Sequence, residues 1–391
     1  MKFNFPRYIE FHIKKTMLDQ SVSNRITMLR PLLIIAMVFT HLRGTSVNMA
    51  DIAPGLFNYL NAFIIHGIGR GTVPTMSLIA GFLLFRADLD VQWMKLFKKK
   101  FITLVIPFFV FILMYFKLMW IFEILFGMPR YTEMTSQLPL AWADLVLGVS
   151  SYPANGPLHF VRDLVVFVLL APLLGCIIRT VPVLGLLGMA IIFGNNQDGD
   201  LVFRGSSFIV FYIGGMAAVH RWNLLAWDKY AKPLIAIFVL VCAGMMVLKV
   251  EDNTFLVLVS PFIIWPAASL LTGGRVQSLA IRYSKYSFFV FAAHMPFMEL
   301  SWWGVISHMQ FIPYIVYWVV TPIATIVILV ITFEFAVRCM PKVFNVMIGA
   351  RTSRPKHAER RKLLRPAQSP VYSEEERTLM RLKLSGLSPT P

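Results

Sequence analysis

Long apolar runs recur through almost the whole chain, and they constrain its fold more than any other feature. Windows of about 20 apolar residues, the length that crosses a bilayer as a helix, follow one another as far as residue 337. Hydrophobic residues make up 57% of the 391 and charged residues only 15%, a balance outside the usual range of soluble domains. The sequence therefore predicts an all-α integral membrane protein.

The apolar windows divide into about ten transmembrane helices. Each window has a length typical of a membrane span, and polar or charged residues separate most neighbours. The predicted spans are residues 27–45, 71–87, 101–122, 157–178, 181–196, 205–220, 232–249, 255–272, 286–305 and 313–337.

The Lys and Arg residues predict the orientation of these helices, because cytoplasmic loops carry an excess of both. Such an excess is found in residues 1–25, in the connection 86–100 and in the tail 341–391, whereas the connection 195–200 has none. We therefore expect both termini in the cytoplasm. The chain then divides into a cytoplasmic N-terminal segment, a membrane domain over residues 26–340 and a basic tail.

The net charge of +17 could indicate a nucleic-acid-binding protein, but its position argues against that class. The charge is concentrated on the predicted cytoplasmic side, where anionic lipid headgroups attract it. No nucleic-acid-binding motif accompanies it. The sequence therefore predicts membrane lipids as partners and no nucleic acid.

An arginine and a histidine frame the first predicted span, in the stretch "RPLLIIAMVFTH". Arg30 and His41 are eleven positions apart, so on a helix they lie within about 20° of each other and about 16 Å apart along the axis. Ionisable groups at such depths are costly unless they face a polar interior, which makes both functional candidates. The structural alternative is that Arg30 reaches the inner headgroups and His41 is a buried ring bonded to backbone.

Similar polar residues interrupt other apolar stretches, and together they suggest a polar cavity inside a helical bundle. Simpler interpretations also exist. Arg162 and Asp163 could form an interfacial salt bridge, and His294, followed by Pro296, could lie on a kinked packing helix. The full set comprises Arg70, His159, Arg162, Asp163, His294 and Glu299.

Four stretches in order resemble the membrane acyltransferase 3 family, the polytopic O-acyltransferases of bacterial envelope and secreted sugars. "LRPLLIIAMVFTH" resembles its first-helix motif of an arginine, ten residues and a histidine. "RGTVPTMSLIAGFLLF" is similar to its second-helix pattern, with Ala80 where a serine is usual. "GPLHFVRDLVVFVLLAPLL" is similar to its fourth-helix segment, with His159 where an aromatic residue is more common, and "YSKYSFFVFAAHMP" resembles its late Ser-to-His-x-Pro helix.

The resemblance covers roughly residues 25–340 and implies ten spans and a location in the bacterial inner membrane. It also implies a reaction, the transfer of an acetyl or succinyl group from acyl-CoA to a sugar hydroxyl. The motifs look most like those of enzymes that acylate exopolysaccharides such as succinoglycan or cellulose, which would make the polysaccharide-synthesis machinery a possible partner. No bound cofactor and no metal are expected.

The resemblance gives the candidate residues their roles. His41 is the expected catalytic residue, because imidazole titrates near neutral pH and suits proton transfer; a covalent route through an acylated His41 stays open. Arg30 fits the phosphates of acyl-CoA, and Arg70 fits the acyl carbonyl, the acceptor or the surroundings of His41. His294 is a candidate for orienting the acceptor, and His159 is a further substrate-binding candidate.

Two other classes of protein remain as alternatives, and the first of them would also need a polar cavity. A transporter or flippase for a glycan or lipid-linked sugar would show internal repeats or discontinuous helices, and we find no clear repeat. A non-enzymatic subunit of a polysaccharide-synthesis complex would tolerate substitution of His41. The enzyme is the preferred hypothesis.

Overall fold

The computed structural model describes residues 19–44, 52–136, 141–195, 201–250, 252, 254–309 and 311–349. The predicted N-terminal segment up to residue 18 and the tail from residue 350 lie outside this range. No strand occurs among the described residues. Their main helices are α1 (Gln20–Thr40), α2 (Leu56–Arg86), α3 (Trp93–Phe126), α4 (Gly156–Thr180), α5 (Pro182–Gly194), α6 (Gly205–Val219), α7 (Asp228–Val247), α8 (Thr254–Leu271), α9 (Ser287–His308) and α10 (Tyr314–Cys339). Short helices cover Arg130–Thr135, Ala141–Leu147, Arg275–Tyr283 and Pro341–Met347.

Seven of these helices, within the described part of the chain, are long and apolar enough to cross a membrane. They are α1, α2, α3, α4, α7, α8 and α10. Helices α5 and α6 are apolar but have only 13 and 15 residues, and α9 has 22 residues interrupted by His294 and Glu299. The all-helical prediction is confirmed, whereas the count of about ten spans and the orientation of the termini stay predictions.

Helix α2 begins at Leu56 rather than at the predicted residue 71. Polar residues lowered the apparent hydropathy of its first half, but the bundle buries some of them: the Asn61 amide oxygen accepts a hydrogen bond from Trp318 Nε1 at 2.7 Å. Within α2, a π-helical turn over Phe63–Ile68 leads into a 3₁₀ turn over Gly69–Gly71. π-Helical turns inside helices are frequent at functional sites. Arg70 lies in the 3₁₀ turn that directly follows.

Helix α1 lies inside the bundle and holds the sequence motif that begins the membrane domain. It packs against α2, α9, α10 and the short helix Arg275–Tyr283. Its N-terminal half is tied to α7 by Arg25, a buried residue whose guanidinium binds both carboxylate oxygens of Asp228 at 2.7 and 2.6 Å. This packing places the C-terminal end of α1, and therefore His41, between α2 and α9.

Glycines allow α2 to pack closely against its neighbours. A Cβ on Gly69 would overlap the side chain of Thr40 at the end of α1. A Cβ on Gly81 would overlap the Phe211 carbonyl oxygen on α6, and one on Gly214 would overlap the Leu78 carbonyl oxygen on α2. Small residues at these positions let the backbones approach, as is usual between membrane helices.

We expect Gly81→Ala to lower the free energy of unfolding by about 1–3 kcal/mol, because the added methyl group must push α6 away. Thermal unfolding of the purified protein in detergent measures the effect. Gly188→Ala is the matched control, since a Cβ there meets no atom within 4 Å. Equal unfolding temperatures for the two variants would contradict the close packing of α2 and α6.

Candidate active site

His41 and His294 meet at the end of α1, although 253 positions separate them in the sequence. His41 directly follows the last residue of α1, and His294 is fully buried on α9. His294 Nε2 lies 3.4 Å from His41 Nδ1, and the ring centroids are 5.0 Å apart in an edge-to-face arrangement. The structure thus brings together two histidines that the sequence suggested separately.

Backbone carbonyl groups determine which ring nitrogens carry the protons. His41 Nδ1 lies 2.8 Å from the Met37 carbonyl oxygen. Because a carbonyl oxygen can only accept, Nδ1 of the neutral ring is the protonated nitrogen and Nε2 keeps its lone pair. The same logic applies to His294, whose Nδ1 lies 3.1 and 2.9 Å from the carbonyl oxygens of Val290 and Phe291. Its Nε2 therefore faces His41 as an acceptor, while Nε2 of His41 is available as a base.

His159 belongs to the same cluster. It lies in the first turn of α4, where its Nδ1 donates to the Gly156 carbonyl oxygen at 2.7 Å, and it is 7% exposed. Its ring packs edge-on against Tyr152 with centroids 5.0 Å apart. It lies within electrostatic range of His41.

Two arginines surround this cluster with positive charge. Arg70 and Arg204 are both half-buried and close enough to His41 for their charges to act on its ring. Among the described residues, no ion pair joins either guanidinium to a carboxylate. As far as the described residues go, the site therefore carries uncompensated positive charge, which suits a ligand or a transition state with negative charge.

The sequence analysis missed Arg204, although it shares one feature with Arg70. Both arginines directly precede a glycine at the start of an apolar run, in "RGTV" and "RGSS". Arg204 lies just before α6, at the end of a short connection, and nothing local distinguishes it from an ordinary arginine at the membrane interface.

The connection that carries Arg204 is held by the ion pair between Arg162 and Asp163. Asp163 Oδ1 accepts from Arg162 Nη1 at 3.1 Å and from the Phe203 backbone N–H at 3.2 Å. The Arg162 guanidinium lies over the Phe203 ring, 4.4 Å from its centroid, and donates to the Leu201 carbonyl oxygen. The pair is therefore a salt bridge that positions residues 201–204 beside the histidines.

A buried carboxylate connects the ends of the two histidine-bearing segments. Glu299, five residues after His294, is 3% exposed and accepts a hydrogen bond from the Tyr115 hydroxyl at 2.8 Å. Its oxygens also lie 3.4 Å from Arg43 Nη2 and 3.5 Å from Arg130 Nε. Because Arg43 is two residues beyond His41, this ion pair helps to hold the end of α1 against α9.

Arg30 is not part of the cluster. Its side chain is exposed on α1, and the charged groups that act on His41 are Arg204 and Arg70. The expected role of Arg30 toward acyl-CoA therefore stays a prediction. Within the described residues, no group of three or more His, Cys, Asp or Glu side chains could hold a metal ion.

Comparison with known proteins relates this chain to acyltransferases. The model of an acyltransferase domain, acyltransferase 3, matches residues 23–336, a range that contains the three histidines and the two arginines around them. The chain is 28% identical over 352 residues to the succinoglycan biosynthesis protein ExoH of Rhizobium meliloti (strain 1021), and the alignment covers 86% of this chain and 94% of that protein. No solved structure matches the chain.

Proposed function

Because this chain belongs to the acyltransferase 3 family and is an acyltransferase, we propose that it moves an acetyl or succinyl group from acyl-CoA to a sugar hydroxyl of an exopolysaccharide or envelope glycan. The observation that carries this proposal is the His41–His294 pair, which leaves Nε2 of His41 unprotonated. The similarity to a protein of succinoglycan biosynthesis favours an exopolysaccharide, such as a succinoglycan- or cellulose-type polymer, as the acceptor.

His41 acts as the general base in the proposed reaction. Its Nε2 takes the proton of the sugar hydroxyl as the oxygen attacks the thioester carbonyl carbon. A carbon–oxygen bond forms, the carbon–sulfur bond breaks, and the proton passes from His41 to the departing sulfur of CoA. The imidazolium that exists between these steps donates through Nδ1 to Met37 O and His294 Nε2, which stabilises its charge.

Arg70 and Arg204 supply positive charge where negative charge develops. Attack on the thioester places a negative charge on the carbonyl oxygen, and a guanidinium held nearby in a poorly solvated site stabilises it strongly. The same charge would attract the free carboxylate of a succinyl group. Both roles need arginines without a carboxylate partner, which is the arrangement found for these two among the described residues.

Arg30 is assigned to the donor. Its side chain lies on α1 toward the end that the charge distribution predicts to face the cytoplasm, where acyl-CoA is made. A planar guanidinium binds phosphate oxygens with two parallel hydrogen bonds. In this proposal the protein is a multi-pass protein of the bacterial inner membrane, with the donor entering from the cytoplasmic side.

The proposed function is tested with the full chain reconstituted in lipid vesicles. Exopolysaccharide from the producing cells, freed of its esters by mild alkali, is incubated with acetyl-CoA or succinyl-CoA, and mass spectrometry detects ester-linked acyl groups. We expect esters and stoichiometric free CoA with one of the two donors. If glycan crosses the vesicle membrane and no esters form, a transporter is favoured. If neither esters nor transport is detected, the remaining hypothesis is a non-enzymatic subunit.

A further inference from the structure

Two buried hydrogen-bond acceptors beside the histidine pair lack donors. Asn155 is 1% exposed, and its Nδ2 donates to the Ala292 carbonyl oxygen at 2.9 Å. His159 uses its Nδ1–H for the Gly156 carbonyl oxygen, so its Nε2 carries a lone pair. Among the described residues, no donor reaches Asn155 Oδ1 or His159 Nε2.

Unpaired acceptors of this kind specify the chemistry of a ligand. Buried polar atoms in folded proteins are nearly always hydrogen-bonded, because an unmade bond leaves the atom desolvated without compensation. Both atoms are acceptors, so a complementary group must donate. A cation is disfavoured by the nearby charges of Arg70 and Arg204, which act on this cluster, so neutral hydroxyl groups are the better match.

The neighbouring side chains also suit a sugar ring. Tyr152 is 51% exposed, and its ring packs 5.0 Å from His159 and 5.1 Å from Phe203, measured between centroids. An aromatic face of this kind packs against the apolar C–H face of a sugar. Nε of Arg204, which has no acceptor among the described residues, can donate to a sugar oxygen.

The position of these residues relates them to the acceptor rather than to the donor. Asn155 is bonded to Ala292, two residues before His294, so it is anchored to the turn that holds the histidine pair. Asn155 and His159 lie at the start of α4, and by the predicted topology this end of the bundle faces away from the cytoplasm. A secreted glycan would reach His41 from this side.

We propose that Asn155, His159, Tyr152 and Arg204 form a subsite for the acceptor sugar. In this subsite, which rests on the proposed function, Asn155 Oδ1 and His159 Nε2 accept hydrogen bonds from hydroxyl groups next to the one that is acylated. Tyr152 packs against the sugar ring, and Arg204 donates to one of its oxygens. These contacts place the reacting hydroxyl at Nε2 of His41.

Two substitutions of one residue test the subsite. The side-chain amide nitrogen of asparagine lies near the position of the histidine Nδ1. His159→Asn therefore keeps the hydrogen bond to the Gly156 carbonyl oxygen and removes the Nε2 acceptor. Glutamine places its amide oxygen near the position of Nε2, so His159→Gln retains an acceptor there. We expect His159→Asn to raise the KM for de-esterified exopolysaccharide fragments about three- to tenfold, with the KM for acyl-CoA unchanged, and His159→Gln to restore most of the loss.

The control variant is His220→Asn, at the far end of α6, where the histidine Nε2 lies 3.2 Å from the Ile178 carbonyl oxygen. An equal KM for the fragments in His159→Asn and in the wild type would overturn the subsite. A raised KM for acyl-CoA instead would assign these residues to the donor and would leave the proposed function standing. If the wild type transfers no acyl group to any fragment, the proposed function fails and the subsite with it.

A second measurement uses the unmodified protein, in case the variants do not fold. Tetranitromethane nitrates exposed tyrosines, and peptide mapping by mass spectrometry reports on Tyr152 individually. We expect the glycan fragments, but not acyl-CoA, to protect Tyr152, while Tyr230, which is 46% exposed at the far end of the bundle, reacts as before. Equal nitration of Tyr152 with and without fragments would overturn the proposal.

Discussion

His41→Ala is expected to lower the rate of acyl transfer by about 10²- to 10⁴-fold, the contribution of a positioned general base. The substitution removes the only proposed acceptor for the hydroxyl proton. It also leaves His294 Nε2 without the ring that it faces at 3.4 Å. The measurement is the initial rate of ester formation on de-esterified exopolysaccharide, at membrane protein levels matched to the wild type.

The matched control is His308→Ala, at the C-terminal end of α9, where the histidine ring packs on Trp303 with centroids 5.0 Å apart. It should retain the wild-type rate. Full activity of His41→Ala would show that this histidine is a packing residue and would move the catalytic base elsewhere. Rapid quenching followed by mass spectrometry distinguishes the two routes, because acyl-histidine at position 41 accumulates only in the covalent one.

The second large effect is expected at Arg70. Arg70→Gln should lower kcat by about 10²- to 10³-fold, the size seen when one group that stabilises an oxyanion is removed. Arg70→Lys keeps the charge and should lose less, because its ammonium can still stabilise the carbonyl oxygen but not with two parallel hydrogen bonds. Steady-state kinetics with both donors measures kcat and KM separately.

Arg221→Gln, an exposed arginine between α6 and α7, is the control for the loss of a positive charge. If Arg70→Gln impairs transfer of succinyl but not of acetyl groups, the guanidinium pairs with the carboxylate of the donor instead of the oxyanion. Unchanged kcat with both donors would remove Arg70 from the reaction and leave the charge of Arg204 to act alone on the site.

Several residues of the site were predictable because their signals are local. His41, Arg70, His159 and His294 each interrupt an apolar run, and an ionisable side chain inside a membrane span is costly enough to stand out in one sequence. Arg204 gave no such signal, because it lies at the start of a helix, where arginine is common. Its position beside the histidines follows from the Arg162–Asp163 pair, which holds the connection that carries it.

The sequence by itself determined the fold class and the approximate helices. Hydropathy is a property of each segment, and every segment that crosses a bilayer must be apolar and must satisfy its own backbone hydrogen bonds. It did not determine where α2 begins, since the bundle buries Asn61 against Trp318. Only the tertiary structure brought His41 within 3.4 Å of His294 and assigned their protons. Beside that contact, α2 packs closely against the end of α1 at Gly69, and Arg43 pairs with Glu299. Such interactions join distant segments, so neither segment alone encodes them.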